Sequence, residues 1–336
     1  MTAGAAPGRA AGPVRTIFFG SGSFAVPILD AVASNPALTV VAVVTAADKP
    51  AGRSRTLTPT PVTIRARALG LPVLQPPGVR AEAVLAELAA LQPELGILAD
   101  YGRIIPQALL DLPRFGILGV HPSLLPRHRG ATPIPATILA GDAEAGVAIY
   151  RMDAGLDTGP VLATTTWPLH GSETAPDLEA EAAARGAALL TKALPGYLDG
   201  TSTPKPQGIA TLIVTTRLTR ADARLDPSRA APELERQVRA HAGWPGSFIE
   251  TVAGRLGVLA ASMASGTTTD RPGTIVEADG SPALVARDGT RLVLDRVQPA
   301  GGTSMTGTDY LRGHREVLGT IVVGTTEAGA ATVSER

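Results

Sequence analysis

Between Thr16 and Leu194 short apolar runs alternate with segments of helical period, and no other feature restricts the fold as much. The first run, Thr16–Phe19, meets Gly20-Ser21-Gly22, and Phe24–Val32 then carries apolar residues at helical spacing. Leu38–Val44 is a second run rich in β-branched residues. Strand, helix, strand in that order implies a parallel sheet joined by right-handed crossovers. The pattern continues with helices over Val62–Ala68, Ala81–Ala90, Pro106–Leu110 and Thr132–Ala140. Strands are expected over Pro72–Leu74, Leu95–Ala99, Gly116–Val120, Gly146–Arg151 and Pro160–Trp167. An Ala-rich helix over Leu178–Leu194 closes this α/β region.

The texture then changes. Asp199–Gln207 is rich in Gly, Thr, Ser and Pro, the composition of a linker. Ala231–Ala240 reads as one amphipathic helix, and Ser247–Val252, Leu256–Ala261, Gly273–Glu277, Ala283–Ala286 and Arg291–Val297 as short strands divided by turn signals such as Asp279-Gly280 and Asp288-Gly289. Such strands predict a small barrel. The 336 residues suit two domains. The expected division is a disordered tail at 1–13, a first domain at 14–198, a linker at 199–216, a barrel domain at 217–324 and a loose tail at 325–336.

Lys+Arg equals Asp+Glu at 30 each, so binding to a polyanion must come from a local patch. The absence of cysteine excludes disulfides, thiolate metal sites and thiol nucleophiles. The first 13 residues lack the apolar core of a signal peptide, and no run approaches the roughly 20 apolar residues that span a bilayer. A cytoplasmic protein is expected. Lysine occurs only at positions 49, 192 and 205 and asparagine only at 35, which points to GC-rich coding.

Gly20-Ser21-Gly22-Ser23-Phe24-Ala25 has the form of a dinucleotide fingerprint at a strand-to-helix junction. The acidic residue that would hold a ribose is missing from the end of the second run, where Val44 and Thr45 stand. Asp48 comes later, in the turn Asp48-Lys49-Pro50-Ala51-Gly52-Arg53. A tight turn that needs small residues is therefore preferred to a nicotinamide site.

Gly119-Val120-His121-Pro122-Ser123-Leu124-Leu125-Pro126 places one histidine between a buried run and a proline-bounded loop. Pro122 fixes its own φ and keeps His121 extended. Imidazole so held is suited to moving protons near neutral pH. Asp157 lies in Met152-Asp153-Ala154-Gly155-Leu156-Asp157-Thr158-Gly159-Pro160, whose glycines allow a loop that brings a carboxylate against a neighbouring strand. Taken singly, a loop aspartate is usually a turn cap and a lone histidine usually structural.

Together the two motifs resemble those of the folate-dependent formyltransferases, with Asn-x-His-x-Ser-Leu-Leu-Pro and a following aspartate loop. The resemblance is to the methionyl-tRNA formyltransferases and runs from about Val14 to His314. Phe19-Gly20…Phe24-Ala25-Val26-Pro27, Asp100-Tyr101-Gly102-Arg103-Ile104-Ile105-Pro106, Arg127-x-Arg129-Gly130-Ala131-x-Pro133-Ile134 and Ala140-Gly141-Asp142 stand in family order. So do Arg217-Leu218-Thr219-Arg220-x-Asp222-Ala223-Arg224-Leu225-Asp226, Trp244-Pro245-Gly246 and Leu292-Val293-Leu294…Val297-Gln298-Pro299-Ala300-Gly301.

The resemblance implies a Rossmann-like parallel-sheet formyltransferase domain followed by a small OB-like β-barrel domain. It implies formyl transfer from 10-formyltetrahydrofolate to the amino group of methionyl initiator tRNA, with no metal and in a monomer. His121 would move protons and stabilise the oxyanion, Asp157 would orient it and relay a proton through water, and Ser123 would help fix the loop. Folate would lie along Leu98, Asp100, Tyr101 and Gly102, the turn Ser123, Leu124, Leu125 and Pro126, and the loop from Asp153 to Asp157. Lys49, Arg53 and Arg55 of a short basic loop, and Arg217 in the family's lysine position, would meet tRNA phosphates. With 3% aromatic residues, base stacking would be minor.

The chain departs from the family at Gly119, where the resemblance expects an asparagine that donates to the formyl oxygen. Losing one such donor costs about 10²–10³ in rate. Four readings stay open: a backbone N–H or water replaces the amide, Thr132 takes over the hydrogen bond, the enzyme is slow, or activity is lost. The glycine predicts turnover below that of an asparagine-bearing relative, raised again by Gly119→Asn. An amino-sugar nucleotide N-formyltransferase, or a weakly active or non-catalytic paralogue, are the alternative functions. The Thr45–Arg53 loop favours tRNA over the sugar.

Overall fold

The computed structural model of the chain describes residues 12–51, 56–209 and 211–322. Most of the expected tail at 1–13, all of 325–336, and Arg53 and Arg55 lie outside the described residues. The chain folds into two compact units. The first runs to Thr137 and adds Asp142–Gly171 and Pro176–Arg217; the second runs from Leu218 and adds Ile138–Gly141 and Ser172–Ala175.

The first unit is built on a seven-stranded sheet. Its strands are β1 (Val14–Gly20), β2 (Leu38–Val44), β3 (Val73–Leu74), β4 (Leu95–Ala99), β5 (Ile117–His121), β6 (Glu144–Arg151) and β7 (Val161–Pro168), in the order β7-β6-β5-β4-β1-β2-β3. The five strands from β5 to β3 are parallel. Helices α1 (Ala25–Ala33), α2 (Pro61–Ala68), α3 (Glu82–Ala90) and α4 (Gln107–Leu110) stand between successive parallel strands. β5 is buried at every position, as expected of a strand covered on both faces. Ile17, Phe19, Val44, Leu88, Leu109 and Ile117 form a core on one side.

β6 and β7 break the parallel pattern, β6 running antiparallel to β5 and β7 antiparallel to β6. Residues 152–160 are too few for a parallel crossover, which takes about a dozen or more, so the chain returns as a hairpin. Helices α5 (Pro133–Ala140) and α6 (Ala175–Leu198) flank this hairpin in sequence.

The segment expected as a linker is fastened to the first unit. Lys205 and Val161 exchange backbone hydrogen bonds at 2.7 and 2.8 Å, and Val214–Thr215 pairs in parallel with Arg129–Gly130. Its Gly, Ser, Thr and Pro content marks irregular backbone, which need not be free.

The second unit contains a curled antiparallel sheet of six strands. These are β8 (Phe248–Thr251), β9 (Gly254–Met263), β10 (Ile275–Ala278), β11 (Ser281–Val285), β12 (Arg291–Pro299) and β13 (Met305–Thr306), in the order β8-β9-β12-β11-β10 with β13 on β12. Register shifts between β9 and β12 at Val258/Ala260 and Ala260/Ser262 bend the sheet into the OB-like shape expected. Leu234 and Val238 of α7 (Ala231–Ala240) and Tyr310 and Leu311 of α8 (Gly307–Gly313) close its core over Ile249, Leu256, Leu284 and Leu294. Among the described residues no helix is long and apolar enough to cross a membrane.

Candidate active site

His121 ends β5, where the chain leaves the sheet, and is 7% exposed. Its Nε2 lies 2.9 Å from the carbonyl oxygen of His128. A carbonyl only accepts, so Nε2 carries the proton and Nδ1 of the neutral ring carries the lone pair. Nδ1 faces Asp157 Oδ2 at 3.7 Å, beyond direct hydrogen bonding. The hydrogen bond that fixes the ring comes from the His128 carbonyl, and Asp157 faces the opposite nitrogen.

The loop that supplies this carbonyl is stiff. Ser123 Oγ donates to the Arg127 carbonyl at 2.6 Å, and Ser123 N–H to the His121 carbonyl at 2.8 Å. Arg127 Nε donates to Asp142 Oδ2 at 2.8 Å, its Nη2 bonds Oδ1, and His128 Nε2 lies 2.8 Å from Oδ2. Burial pushes the Asp142 carboxyl up, but the bonds from Arg127 and His128 outweigh it and hold the group below the usual carboxylate range. Burial lowers His128 in turn, which keeps its ring neutral.

Asp157 reaches this place on the 152–160 loop. Its backbone is left-handed, with φ 53°. Gln207 Nε2 donates to the carbonyls of Asp157 and Gly159 at 2.8 and 2.7 Å, and Arg129 grips Gln207 Oε1. The Asp157 carboxylate accepts from Gly130 N–H at 2.8 Å through Oδ2 and from the Tyr150 hydroxyl at 2.5 Å through Oδ1. Burial, then the Asp157 charge, raise the Tyr150 hydroxyl well above its ordinary value, so it stays a neutral donor.

Gly119 and His121 share one face of β5, opposite Tyr150 and Ala148 of β6. A Cβ at position 119 would come within 2.4 Å of the Tyr150 ring and 2.9 Å of its hydroxyl oxygen. The volume in which an asparagine would start is filled. The side chain introduced by Gly119→Asn would have to displace a ring only 2% exposed. Thr132 is not the substitute either: its hydroxyl donates to the Thr216 carbonyl at 2.8 Å and its N–H to Thr215 Oγ1 at 3.1 Å.

The other expected residues divide. Leu98–Gly102 leaves β4 beside β5, turned by left-handed Asp100 and Gly102 (φ 44° and 72°). The Asp100 carbonyl accepts from Ser21 N–H at 2.9 Å, docking the glycine loop here. The protein packed around the Asp100 carboxyl, then Glu179, push it up. The Tyr101 ring is 3% exposed and packs edge-on to Phe19 at 5.7 Å, and Leu98 rests on the same cluster. Leu124 and Leu125 are half-buried and Pro126 buried, with a cis bond between Leu125 and Pro126. Asp153 is exposed and shapes its own loop by accepting from Gly155 N–H at 3.1 Å and Thr158 Oγ1 at 2.5 Å. At the end of β2, Ser21 Oγ accepts from Ala46 N–H at 3.1 Å, while Asp48 is held by Gln75 at 2.7 Å, so no acid stands where a ribose would need one.

Lys49 is exposed in a two-stranded ladder of Lys49–Ala51 with Thr56–Thr58. The Arg217 guanidinium donates to the Gly102 carbonyl at 3.1 Å, which places it at the segment expected to hold folate. Tyr150, His128, Gln207 and the Gly130 N–H escaped the sequence reading. His128 hides in the unspecified position of Arg127-x-Arg129. Tyr150 had one signal, a glycine in a strand buried throughout, which requires a neighbour to fill the gap.

Known proteins place this geometry. The profile described as formyl transferase matches residues 14–194, and that of the formyl transferase C-terminal domain matches 217–315. A methionyl-tRNA formyltransferase from Halorhodospira halophila is 44% identical over 91% of this chain and 98% of its own length. One from Chloroflexus aurantiacus is 42% identical over 89% of this chain and 97% of its own. Among solved structures, an N-formyltransferase from Helicobacter canadensis in complex with folinic acid and dTDP-3-aminofucose shares the fold, with TM-score 0.60 at 15% identity over 84% of this chain and 98% of that one. WlaRD, a sugar 3N-formyl transferase, gives 0.62 at 16% over 83% and 96%. With both domain profiles matched and relatives above 40% identity along nine-tenths of its length, the chain belongs to the formyl transferase family.

Proposed function

We propose that this chain carries a formyl group from 10-formyltetrahydrofolate to the amino group of methionyl initiator tRNA, as a cytoplasmic monomer whose chemistry uses His121 and Asp157 and no metal. One observation supports it most: a buried imidazole whose tautomer is fixed by the His128 carbonyl turns its Nδ1 lone pair to a carboxylate 3.7 Å away. The relatives named methionyl-tRNA formyltransferase support the acceptor. Leu98–Gly102 and Asp153–Asp157 follow the two strands that flank β5 and are the segments offered to folate.

The amine attacks the formyl carbon, and the carbonyl electron pair moves to oxygen. The amine becomes acidic as its bond forms, and His121 Nδ1 takes its proton. The ring is then cationic, stabilised by the Asp157 charge, and its Nδ1–H can meet the negative oxygen. When the bond to the folate nitrogen breaks, that nitrogen keeps the electron pair and receives the proton from Nδ1. At 3.7 Å the Asp157 carboxylate is close enough to stabilise the protonated ring by its charge.

Lys49, Arg53, Arg55 and Arg217 are assigned to phosphates. Four such contacts predict roughly a hundredfold loss of tRNA affinity between 50 and 200 mM salt, and an affinity indifferent to salt would remove this assignment. The deciding assay offers 10-formyltetrahydrofolate with either charged initiator tRNA or a dTDP-amino sugar. Formylmethionyl-tRNA is the expected product; formylation of the sugar alone, or of neither, would overturn the proposal.

A further inference from the structure

A glycine inside a fully buried strand leaves a hole, and the hole at Gly119 is filled by the residue directly opposite, Tyr150. The ring stands edge-on to His121, with centroids 6.5 Å apart and planes at 89°. Its hydroxyl ends on Asp157 Oδ1 at 2.5 Å. Asp157 needs such holding, because φ 53° is costly for a residue with a side chain. Gln207 fixes the main chain there, but the carboxylate could still turn about its own bond. Its two oxygens have different work: Oδ2, on the Gly130 amide, is the one 3.7 Å from His121 Nδ1. With Oδ1 tied to the phenol, Oδ2 keeps that direction.

We propose that Tyr150 is a positioning residue for the transfer reaction: it occupies the space vacated at Gly119, and its hydroxyl locks the Asp157 carboxylate so that Oδ2 faces His121. Gly119 and Tyr150 act as one unit. The donor enters the site from β6 because β5 has given up its side chain there. The inference rests on the reading of His121 and Asp157 as the reacting pair. The groups facing the Asp157 carboxylate are His121 from β5, Tyr150 from β6 and the Gly130 amide, with Asp153 adding its charge against Tyr150 from the same loop.

Four forms of the full chain test it: the parent, Tyr150→Phe, Gly119→Asn, and Gly119→Asn with Tyr150→Ala. Tyr150→Phe keeps the ring over Gly119 and removes only the hydroxyl. Its single-turnover rate should fall about 10- to 100-fold with the folate KM unchanged, and the Asp157 carboxyl carbon signal in NMR should move, because the carboxylate loses a hydrogen-bond donor. A ring that merely packs would shift neither. Gly119→Asn alone should lower both melting temperature and rate, and Tyr150→Ala in the same chain should restore part of the melting temperature. An unchanged rate and carboxyl signal in Tyr150→Phe would overturn the proposal, as would a Gly119→Asn chain that is stable and faster.

Two readouts need no turnover: the melting temperatures of the four forms, and the Asp157 carboxyl carbon signal followed by NMR, assigned with Asp157→Asn. If the parent makes no formylmethionyl-tRNA, the proposed function falls, while these two still judge the role of Tyr150. An Asp157 carboxyl signal that stays in place in Tyr150→Phe counts against it.

Discussion

His121 and His241 are almost equally hidden, 7% and 3% exposed, yet the protein has made opposite things of them. His121 in the first unit has one nitrogen committed to a carbonyl and the other turned to a carboxylate. His241 follows α7 in the second unit, and neither of its ring nitrogens has a hydrogen-bond partner. Burial lowers its basicity, with Asp222 and Arg229 acting in opposite directions. His128 lies between the two cases, with Nε2 on Asp142 and Nδ1 without a partner. Burial by itself yields an inert, neutral ring. A reactive one needs a fixed tautomer and a charge placed to stabilise its protonated form.

The sharpest way to break this contrast is to remove each ring. His121→Gln should cut single-turnover formyl transfer about 10³-fold or more, within the range of lost acid–base catalysis, while changing the urea midpoint little. His241→Leu should leave the rate alone. Equal losses of rate in the two variants would end the comparison.

A smaller effect should follow from Asp142→Asn, which takes the charge from Arg127 and His128 without touching His121. The carbonyl that holds the His121 ring would shift, so the rate should fall about tenfold, with about 1–3 kcal/mol of stability lost in urea titration. A rate unaffected by Asp142→Asn would mean that the loop needs no such anchor.

The smallest effect concerns pH and stability. His128 and His241 are held below their ordinary value in the folded chain. As pH falls below about 6.5, the unfolded chain takes up protons that the folded one refuses, so stability should decline with acid from there until the folded rings also titrate. His241→Leu should flatten that decline and add about 1 kcal/mol near neutral pH by removing an unsatisfied polar group. Parallel melting curves of the two chains from pH 5 to 7.5 would refute this.

Much of the frame was legible because its signals are local. Leu95–Ala99 and Ala231–Ala240 have the bounds that periodicity assigns them. The helix Gly307–Gly313 was missed although Thr306 caps it by accepting from Asp309 N–H, a Thr-x-x-Asp start that could have been read. The pairing of Gly119 with Tyr150 was not legible, because it depends on β6 running antiparallel and on a register no local pattern states. The same holds for the Gly130 amide on Asp157, which joins residues from two loops. His121 and Asp157 were found as a pair only through family likeness; the 3.7 Å between them and the carbonyl that orients the ring are products of the fold.

The ladder between Arg129–Gly130 and Val214–Thr215, with Gln207 clasping the Asp157 loop, bears on how modules of this family could be exchanged. The two domain profiles leave residues 195–216 to neither partner. A chimera joined at Pro195 would bring a foreign clasp to the catalytic loop, whereas one joined after Thr216 would transplant the reacting pair together with the segment that keeps it in shape.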